Sequence, residues 1–312
     1  MSMLNPQLTA FAAVLSEGTF EGAARRLSLT PSAISQRVKA LEDRLGQVLI
    51  LRRTPCRATA AGQRLLRSVQ QMQLLETETL DEFSIEPASG ASIAPDTAPP
   101  PIVIAVNADS MATWFLPALA DLHTRYNLQF DVRVEDQDHS ADLLRDGSVL
   151  GAVTADAKPV QGCTVKKLGV MRYLPIASPS LVAKYFADGV DAASLNRAPM
   201  LVFNRKDTLQ TRFMRSLTRA RLAPPIHYLP SSTAFVEAAA LGLGWAMAPE
   251  SMLQAPLAEG SLCELAPGRW LDVPLYWQHW SIRSTTLSRL THALADAAEL
   301  SLRPQAGARR KA

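Results

Sequence analysis

Cysteine is scarce in this 312-residue chain: Cys56, Cys163 and Cys263 are three, far apart, and form no CxxC pair. An odd and scattered set excludes a disulfide framework and a thiolate metal site, and reads as reduced thiols. Histidine is equally dispersed. His123, His139, His227, His279 and His292 show no HExxH or other close ligand spacing, so no metal is expected. Long apolar runs are missing. The longest uncharged one, 238–249, is well short of the ~20 residues that cross a bilayer, and no membrane partner is expected. The first cation is Arg25, so the charged start of a secretory leader is lacking, and a cytoplasmic location follows as the expectation. There is no GxSxG elbow and no GxxxxGK[ST] loop. Gly242 and Gly244, in GLGWA, precede a strand-like run, whereas a dinucleotide fingerprint follows one. No catalytic residue and no cofactor emerge, and the chain reads as a non-enzyme.

What is present is globular material for two or three domains, 47% apolar and 20% charged. Net charge is only +3, but it is unevenly spread. Residues 1–59 carry eight basic side chains against four acidic ones, Arg309, Arg310 and Lys311 add a basic tail, and the stretch between is net acidic. A basic head on an acidic body is expected when one module meets a polyanion and the other does not. Residues 86–101 contain Pro87, Pro95, Pro99, Pro100 and Pro101 among small residues, a composition that reads as an extended linker.

The head is patterned as helices. Asn5 caps the first, with Pro6 at its first position, Leu8, Phe11 and Leu15 on one face and Gly18 as the stop. A second, from Thr19 or Phe20 to Leu27, has small residues Gly22, Ala23 and Ala24 that permit close helix crossing. Thr30 and Pro31 start a third, in which Ile34, Val38, Leu41 and Leu45 form a buried stripe ended by Gly46. Opposite that stripe fall Ser32, Ser35, Gln36 and Lys39, with Arg37 on the flank. Short hydrogen-bonding side chains beside cations suit base edges and phosphates in a major groove better than plain solvent. The run 48–54, a turn at Pro55 and Cys56, and the cations Arg52, Arg53 and Arg57 make a short wing able to reach phosphates. Thr59 then caps a long helix from Ala60 to about Phe83. Its stripe of Leu65, Val69, Met72, Leu80 and Phe83 outruns what the small head can cover, so a partner helix and a homodimer are expected; Glu76 and Thr79 interrupt it. Beyond the linker, strand-like runs at 102–106, 128–135, 149–154, 173–177, 201–203 and 245–248 alternate with helices, which implies parallel α/β units with ligands at the carboxyl ends of strands.

The run SEGTFEGAARRLSLTPSAISQRVKALEDRLGQVLILR resembles the winged helix-turn-helix of LysR-type transcriptional regulators. Further segments are similar to the ArgP/LysG subgroup, regulators of basic amino-acid export and metabolism: RRTPCRATAAGQRLL, VNADSMATWFLPAL, VED, GAVT, KLG, KYF and SSTAFV. The likeness spans about residues 4–302, leaving out the Pro-rich linker and the basic tail. It implies a winged helix-turn-helix DNA-binding domain (1–59, with Thr30, Ser32, Ser35, Gln36, Arg37, Lys39, Arg52, Arg53 and Arg57 facing double-stranded DNA). A linker and dimerisation helix (60–85) and the Pro-rich segment (86–101) follow. The remainder is a periplasmic-binding-protein-like effector domain of two Rossmann-like subdomains (about 102–171 with 274–304, and 172–273) and the tail (305–312). Family members also form tetramers and can contact RNA polymerase.

The resemblance places a ligand in the cleft between the subdomains, and four strand ends meet there. Asn107, Asp109 and Ser110 stand at a helix start, where backbone N–H groups and a hydroxyl can hold a carboxylate; Asp109 can equally cap its own helix. Glu135 and Asp136 can take an ammonium or guanidinium, and Thr154 ends the third strand. Asn204, Ser231 and Ser232 repeat the pattern in the second subdomain, with capping as the alternative use. A cationic amino acid, lysine or arginine, fits this set, and the subgroup resemblance supplies that choice. The competing readings are a LysR-type regulator of another effector or of replication-origin DNA, a stand-alone amino-acid-binding protein, and an enzyme with an accessory DNA-binding domain.

Overall fold

The computed structural model describes residues 3–83, 101–135 and 140–304; Asp136, most of the Pro-rich linker and the basic tail lie outside them. Among the described residues no helix is long and apolar enough to cross a membrane.

In the head, α1 (Pro6–Glu17) is capped by Asn5 and stopped by Gly18 at φ +69°. The Thr19 hydroxyl accepts the Gly22 N–H to start α2 (Phe20–Arg26). Gly22 is needed there, since a Cβ would lie 2.8 Å from that of Glu17. Thr30 caps α3 (Pro31–Leu45), which Gly46 ends in the left-handed region. Ile34, Val38 and Leu41 bury against Phe11, Val14 and Ala23. Leu45 does not complete the stripe as expected: it is 47% exposed, because the last turn runs past the small core and 43–48 are all exposed. The wing is shorter than the apolar run suggested. Strands β1 (Ile50–Leu51) and β2 (Arg57–Ala58) pair antiparallel, and the Glu42 carboxylate accepts the Leu49 and Ile50 N–H groups, tying wing to helix.

The Thr59 hydroxyl accepts the Gly62 N–H at the start of α4 (Ala60–Phe83), about 36 Å long at 1.5 Å per residue. Two of the five residues expected at the dimer seam, Leu65 and Val69, are used within the chain instead. Val69 is fully buried in the chain's own head core, and Leu65 packs against that core too. Only the later members Met72, Leu80 and Phe83, joined by Leu75, are exposed.

The body starts with β3 (Ile102–Val106), followed by α5 (Ala108–Ser110), a π turn (Met111–Phe115) and α6 (Leu116–Tyr126). Then come β4 (Phe130–Val134), α7 (Ser140–Arg145), β5 (Gly151–Thr154), β6 (Cys163–Ala177), α8 (Pro179–Tyr185), α9 (Ala192–Arg197), β7 (Met200–Val202) and α10 (Leu209–Leu217). The order closes with β8 (Ile226–Tyr228), α11 (Ser232–Ala240), β9 (Ala246–Pro249), α12 (Gln254–Ala258), β10 (Cys263–Glu264), β11 (Leu271–Trp280) and α13 (Thr285–Ser301). A continuous sheet runs β10-β6-β11-β5-β3-β4 with β9 also on β6. β3 is parallel to both β4 and β5, and β7 to β8, as βα alternation requires.

Two long antiparallel strands, β6 and β11, join the halves. The sequence shows only the last third of β6 as an apolar run and does not show β11, whose Asp272, Gln278 and His279 break the pattern. The first lobe gathers β3, β4, β5 and the distal half of β11; the second gathers the end of β6 with β7, β8, β9 and β10, and has its own core around Leu201, Phe235 and Leu253. The β6–β11 ladder at Val170↔Pro274 and Met171↔Val273 forms the crossing. It is braced by charge: Arg172 grips Asp272 through two hydrogen bonds while stacking 4.1 Å from the Trp270 ring. Arg303, past α13, pairs its backbone with Val170 and its guanidinium with Glu250 of the other lobe. The facing guanidinium groups hold the Asp272 and Glu250 carboxyls below the usual range.

The linker helix touches the body of its own chain. Glu78 accepts hydrogen bonds from the Ser284 hydroxyl (2.6 Å) and the Thr286 (2.8 Å) and Thr285 (3.2 Å) N–H groups, so a carboxylate of α4 caps α13. Burial pushes its pKa up, but these donors outweigh burial and hold it below the ordinary 4.5.

Candidate DNA face and ligand cleft

On α3 the residues opposite the buried stripe are displayed as the periodicity predicts: Ser32, Gln36 and Lys39 are exposed and Ser35 and Arg37 partly so. Thr30 is occupied as a cap, its hydroxyl accepting the Ala33 N–H and sharing a hydrogen with Ser32. In the wing, Arg53 and Arg57 are exposed. Arg52 is exposed as well, but it also lies 5.2 Å from the Phe20 ring and 3.9 Å from Glu42, so it braces the wing against the head. The face presents bidentate amide and hydroxyl groups between cations, the chemistry that reads base edges and phosphates.

The ligand cleft forms where strand ends of the two lobes meet. The Glu135 N–H continues the β3–β4 ladder by donating to the Val106 carbonyl (3.1 Å), and this sets Glu135 beside Asn107 at the carboxyl end of the parallel strands. Both line a cavity of about 60 Å³ with Asp109, Asp207, Ser232 and Phe235. Asn107 is 4% exposed and Ser232 7%; the Asn107 Oδ1 and Ser232 Oγ atoms are buried without a hydrogen-bond partner. A buried polar atom left unpaired costs about 1–3 kcal/mol, so two in one cavity mark a place shaped for a polar guest. Asp109 does not cap its own helix; it accepts the Tyr173 hydroxyl at 2.7 Å, reaching β6 at the crossing.

Several expected residues are used elsewhere. Thr154 is buried but exchanges hydrogen bonds with the Asp156 backbone and Gln278, holding the turn after β5. Asn204 accepts the Lys206 and Asp207 N–H groups in a local turn, and Ser231 caps α11 through the Ala234 N–H. Asn204 and Ser231 thus serve the capping alternative, Thr154 holds a turn, and none of the three lines the cavity. Ser110 is buried with its hydroxyl unpaired, but it too is off the lining. The sequence missed Asp207, whose Oδ2 accepts the Phe203 N–H (3.0 Å) and Oδ1 the Leu209 N–H (2.9 Å). An acidic residue between a strand and an amphipathic helix was its only signal. A wider open groove, about 1060 Å³, runs between α6 and α13 past Asp121, Arg125, Arg289 and His292; the strand-end residues do not reach it.

A winged helix-turn-helix head joined by a long helix to a two-lobed, cleft-bearing α/β body defines the ligand-responsive class of DNA-binding transcriptional regulators. Residues 6–63 match the bacterial regulatory helix-turn-helix protein of the lysR family, and 97–300 match the LysR substrate binding domain. The chain is 47% identical over 305 residues to the HTH-type transcriptional regulator LysG of Mycobacterium tuberculosis, covering 98% of this chain and 97% of that one. Its fold matches the crystal structure of ArgP from M. tuberculosis with a TM-score of 0.84 at 46% identity, over 96% of this chain and 99% of that one. It also matches full-length LysG of Corynebacterium glutamicum with bound effector Arg, with a TM-score of 0.75 at 40% identity, over 96% and 100% of the two chains. The chain belongs to the LysR family of transcriptional regulators, in the ArgP/LysG subgroup.

Proposed function

We propose that this regulator senses a basic amino acid, lysine or arginine, in the cleft between its lobes and controls that amino acid's export or metabolism. The observation that carries this reading is the convergence of Asp109, Glu135 and Asp207 with two unpaired buried polar atoms on one cavity. Carboxylates answer a side-chain cation, while Ser232 at the start of α11 and the buried Asn107 answer the amino-acid head group. Asp136, outside the described residues, belongs to the same proposed set. The arginine bound by the C. glutamicum relative supports it. At about 60 Å³ the cavity is far below the 300–1,000 Å³ of small-molecule sites, so the lobes must part to admit the ligand and close on it. Its role is binding, in the cytoplasm where the DNA is, without catalysis.

The α3 face and the Arg53–Arg57 wing are the proposed DNA contacts, and the exposed stripe Met72, Leu75, Leu80 and Phe83 the proposed dimer seam. Sedimentation of Phe83→Asp should show a weakened dimer; an unchanged association constant rejects the seam. For the sensor, calorimetric titration of the full-length protein with lysine, arginine and norleucine should show binding of the two basic amino acids at least tenfold tighter. Equal affinities would reject a basic effector.

A further inference from the structure

We propose that α13 is a lever that carries the state of the cleft to the linker helix, with a polar catch at each end: Glu78 of α4 at its start and the Arg303–Glu250 pair just past its finish. The lever goes beyond the reading of the cleft as a basic amino-acid site and rests on it only for the choice of effector.

The linker helix has one face turned to its own body. Arg67, Leu74 and Glu78 recur at i, i+7 and i+11, so they share a side of α4, and all three meet the body. Gly147, before β5, comes so close that a Cβ there would lie 2.9 Å from that of Arg67. Leu74 packs against the larger core of the body. Glu78 accepts from the Ser284 hydroxyl and from the Thr285 and Thr286 N–H groups at the start of α13. This contact is releasable. The Arg67 Nε atom is buried without a hydrogen-bond partner, and the N–H groups of a first helical turn are satisfied by water when a capping side chain leaves.

At its other end α13 is tied to the second lobe. Its 17 residues span about 25 Å. Beyond them Arg303 exchanges two backbone hydrogen bonds with Val170 at the lobe crossing and sets its guanidinium bidentate on Glu250, in the turn after β9. A swing of the second lobe about that crossing is therefore felt at the end of α13. Between the two ends the helix is stiff: Leu287, Leu290 and Leu294 are buried, and the Trp277 indole N–H of β11 donates to the Thr291 hydroxyl (3.0 Å). α13 also packs on α6 and on the π turn, which follows directly on the cavity-lining Asn107 and Asp109. A helix packed in this way moves as a unit, by shifts of about 1–2 Å. Such a shift is decisive at Glu78, where the three bonds measure 2.6, 2.8 and 3.2 Å and the ordinary range ends near about 3.2 Å. The position of the second lobe thus selects whether α4 is held on the body or let go, and α4 carries the head.

The test uses the full-length protein, arginine as the cleft probe and operator DNA recovered by in vitro selection. In wild type, saturating operator should change arginine affinity at least fivefold, on the order of ordinary allosteric coupling; a factor of one overturns the lever. Glu78→Ala and Arg303→Ala, at opposite ends of α13, should each keep a cooperative melt and bind both arginine and operator, while the coupling factor falls to within about twofold of one. An undiminished factor in either variant rejects the lever, since a rod needs both of its ends. Hydrogen exchange on the wild type reads the same device without any effector. Operator binding should change the protection of the Thr285 and Thr286 amides and of the Val170 and Arg303 amides together, and unchanged protection at either pair overturns the lever whatever the cleft binds. If wild type does not bind arginine but both pairs respond to operator, the basic amino-acid reading falls and the lever stands.

Discussion

The head and the body place their functional side chains by opposite means. In the head, five of the proposed DNA contacts stand on a single helix, so their common orientation follows from a 3.6-residue repeat and from the burial of Ile34, Val38 and Leu41 on the other side. In the cleft, the lining residues come from α5, α10, α11 and β9 and from the segments just after β3, β4 and β7, brought together by sheet order and by a hinge that both lobes share. A local device tolerates change one residue at a time; a device assembled from so many elements depends on the whole body keeping its shape. The head should therefore lose DNA binding through individual contacts, and the cleft should respond to how its lobes sit.

The largest effect separates the two regions by stability. Gly62 lies so close to the wing that a Cβ would meet the Leu49 carbonyl oxygen at 2.1 Å. Gly62→Ala should destabilise the head by about 3 kcal/mol through overpacking, seen as an early denaturation step, with amino-acid binding by the body unchanged. A single unshifted transition would show that the wing yields freely.

Next comes the recognition face. Gln36→Ala should weaken operator binding by about 1–3 kcal/mol, roughly five- to 150-fold, and leave the salt dependence intact. Arg53→Ala should weaken all DNA alike and lower the salt slope by about one. Footprinting over a salt series distinguishes them, and identical behaviour of the two variants would undo the division into base and phosphate contacts.

A smaller effect tests which hydroxyls of the body meet ligand. Ser232→Ala should reduce lysine and arginine affinity by about 0.5–1.5 kcal/mol with little change in stability. Thr154→Ala should do the reverse, lowering stability by about 1 kcal/mol through its lost turn bonds while affinity holds. Calorimetry and denaturation of the same two samples decide it, and a binding loss in Thr154→Ala would return that residue to the site.

The smallest joins the regions. Glu78 has its folded pKa depressed below the ordinary 4.5, so its stabilising contact with α13 is complete above that pH and is lost as pH falls through the folded value. Glu78→Gln should therefore be slightly less stable than wild type near neutrality, with the two stability curves converging in acid. Parallel curves throughout would remove the charge from the contact.

Legibility in the sequence followed the same contrast. The caps Asn5, Thr30 and Thr59 and the stops Gly18 and Gly46 all act within a few residues of themselves, and the structure uses each as read. Leu45 and Val69 were misjudged because their burial depends on where a small core ends. In the body, strand-end logic singled out Asn107, Asp109, Glu135 and Ser232, which the fold brings to one cavity. It also drew in Thr154, Asn204 and Ser231, since a polar residue at a strand end serves a turn as readily as a ligand. Asp207 escaped because only the closed loop at Phe203 and Leu209 turns it toward the cleft. β11 escaped because its pattern is broken by Gln278, a buried amide that is satisfied by the Val160 N–H and by the Asp156 and Lys158 carbonyls, partners about 120 residues away.

A regulator that senses an amino acid in its cleft and acts through its DNA face must couple the two, and linkage makes that measurable from either side. The most direct measurement is the affinity of the full-length protein for lysine and arginine with and without saturating operator DNA, recovered by in vitro selection. Operator should change the affinity for the basic effector, and the effector should change operator affinity by the same factor. Identical effector affinities in the presence and absence of DNA would contradict it.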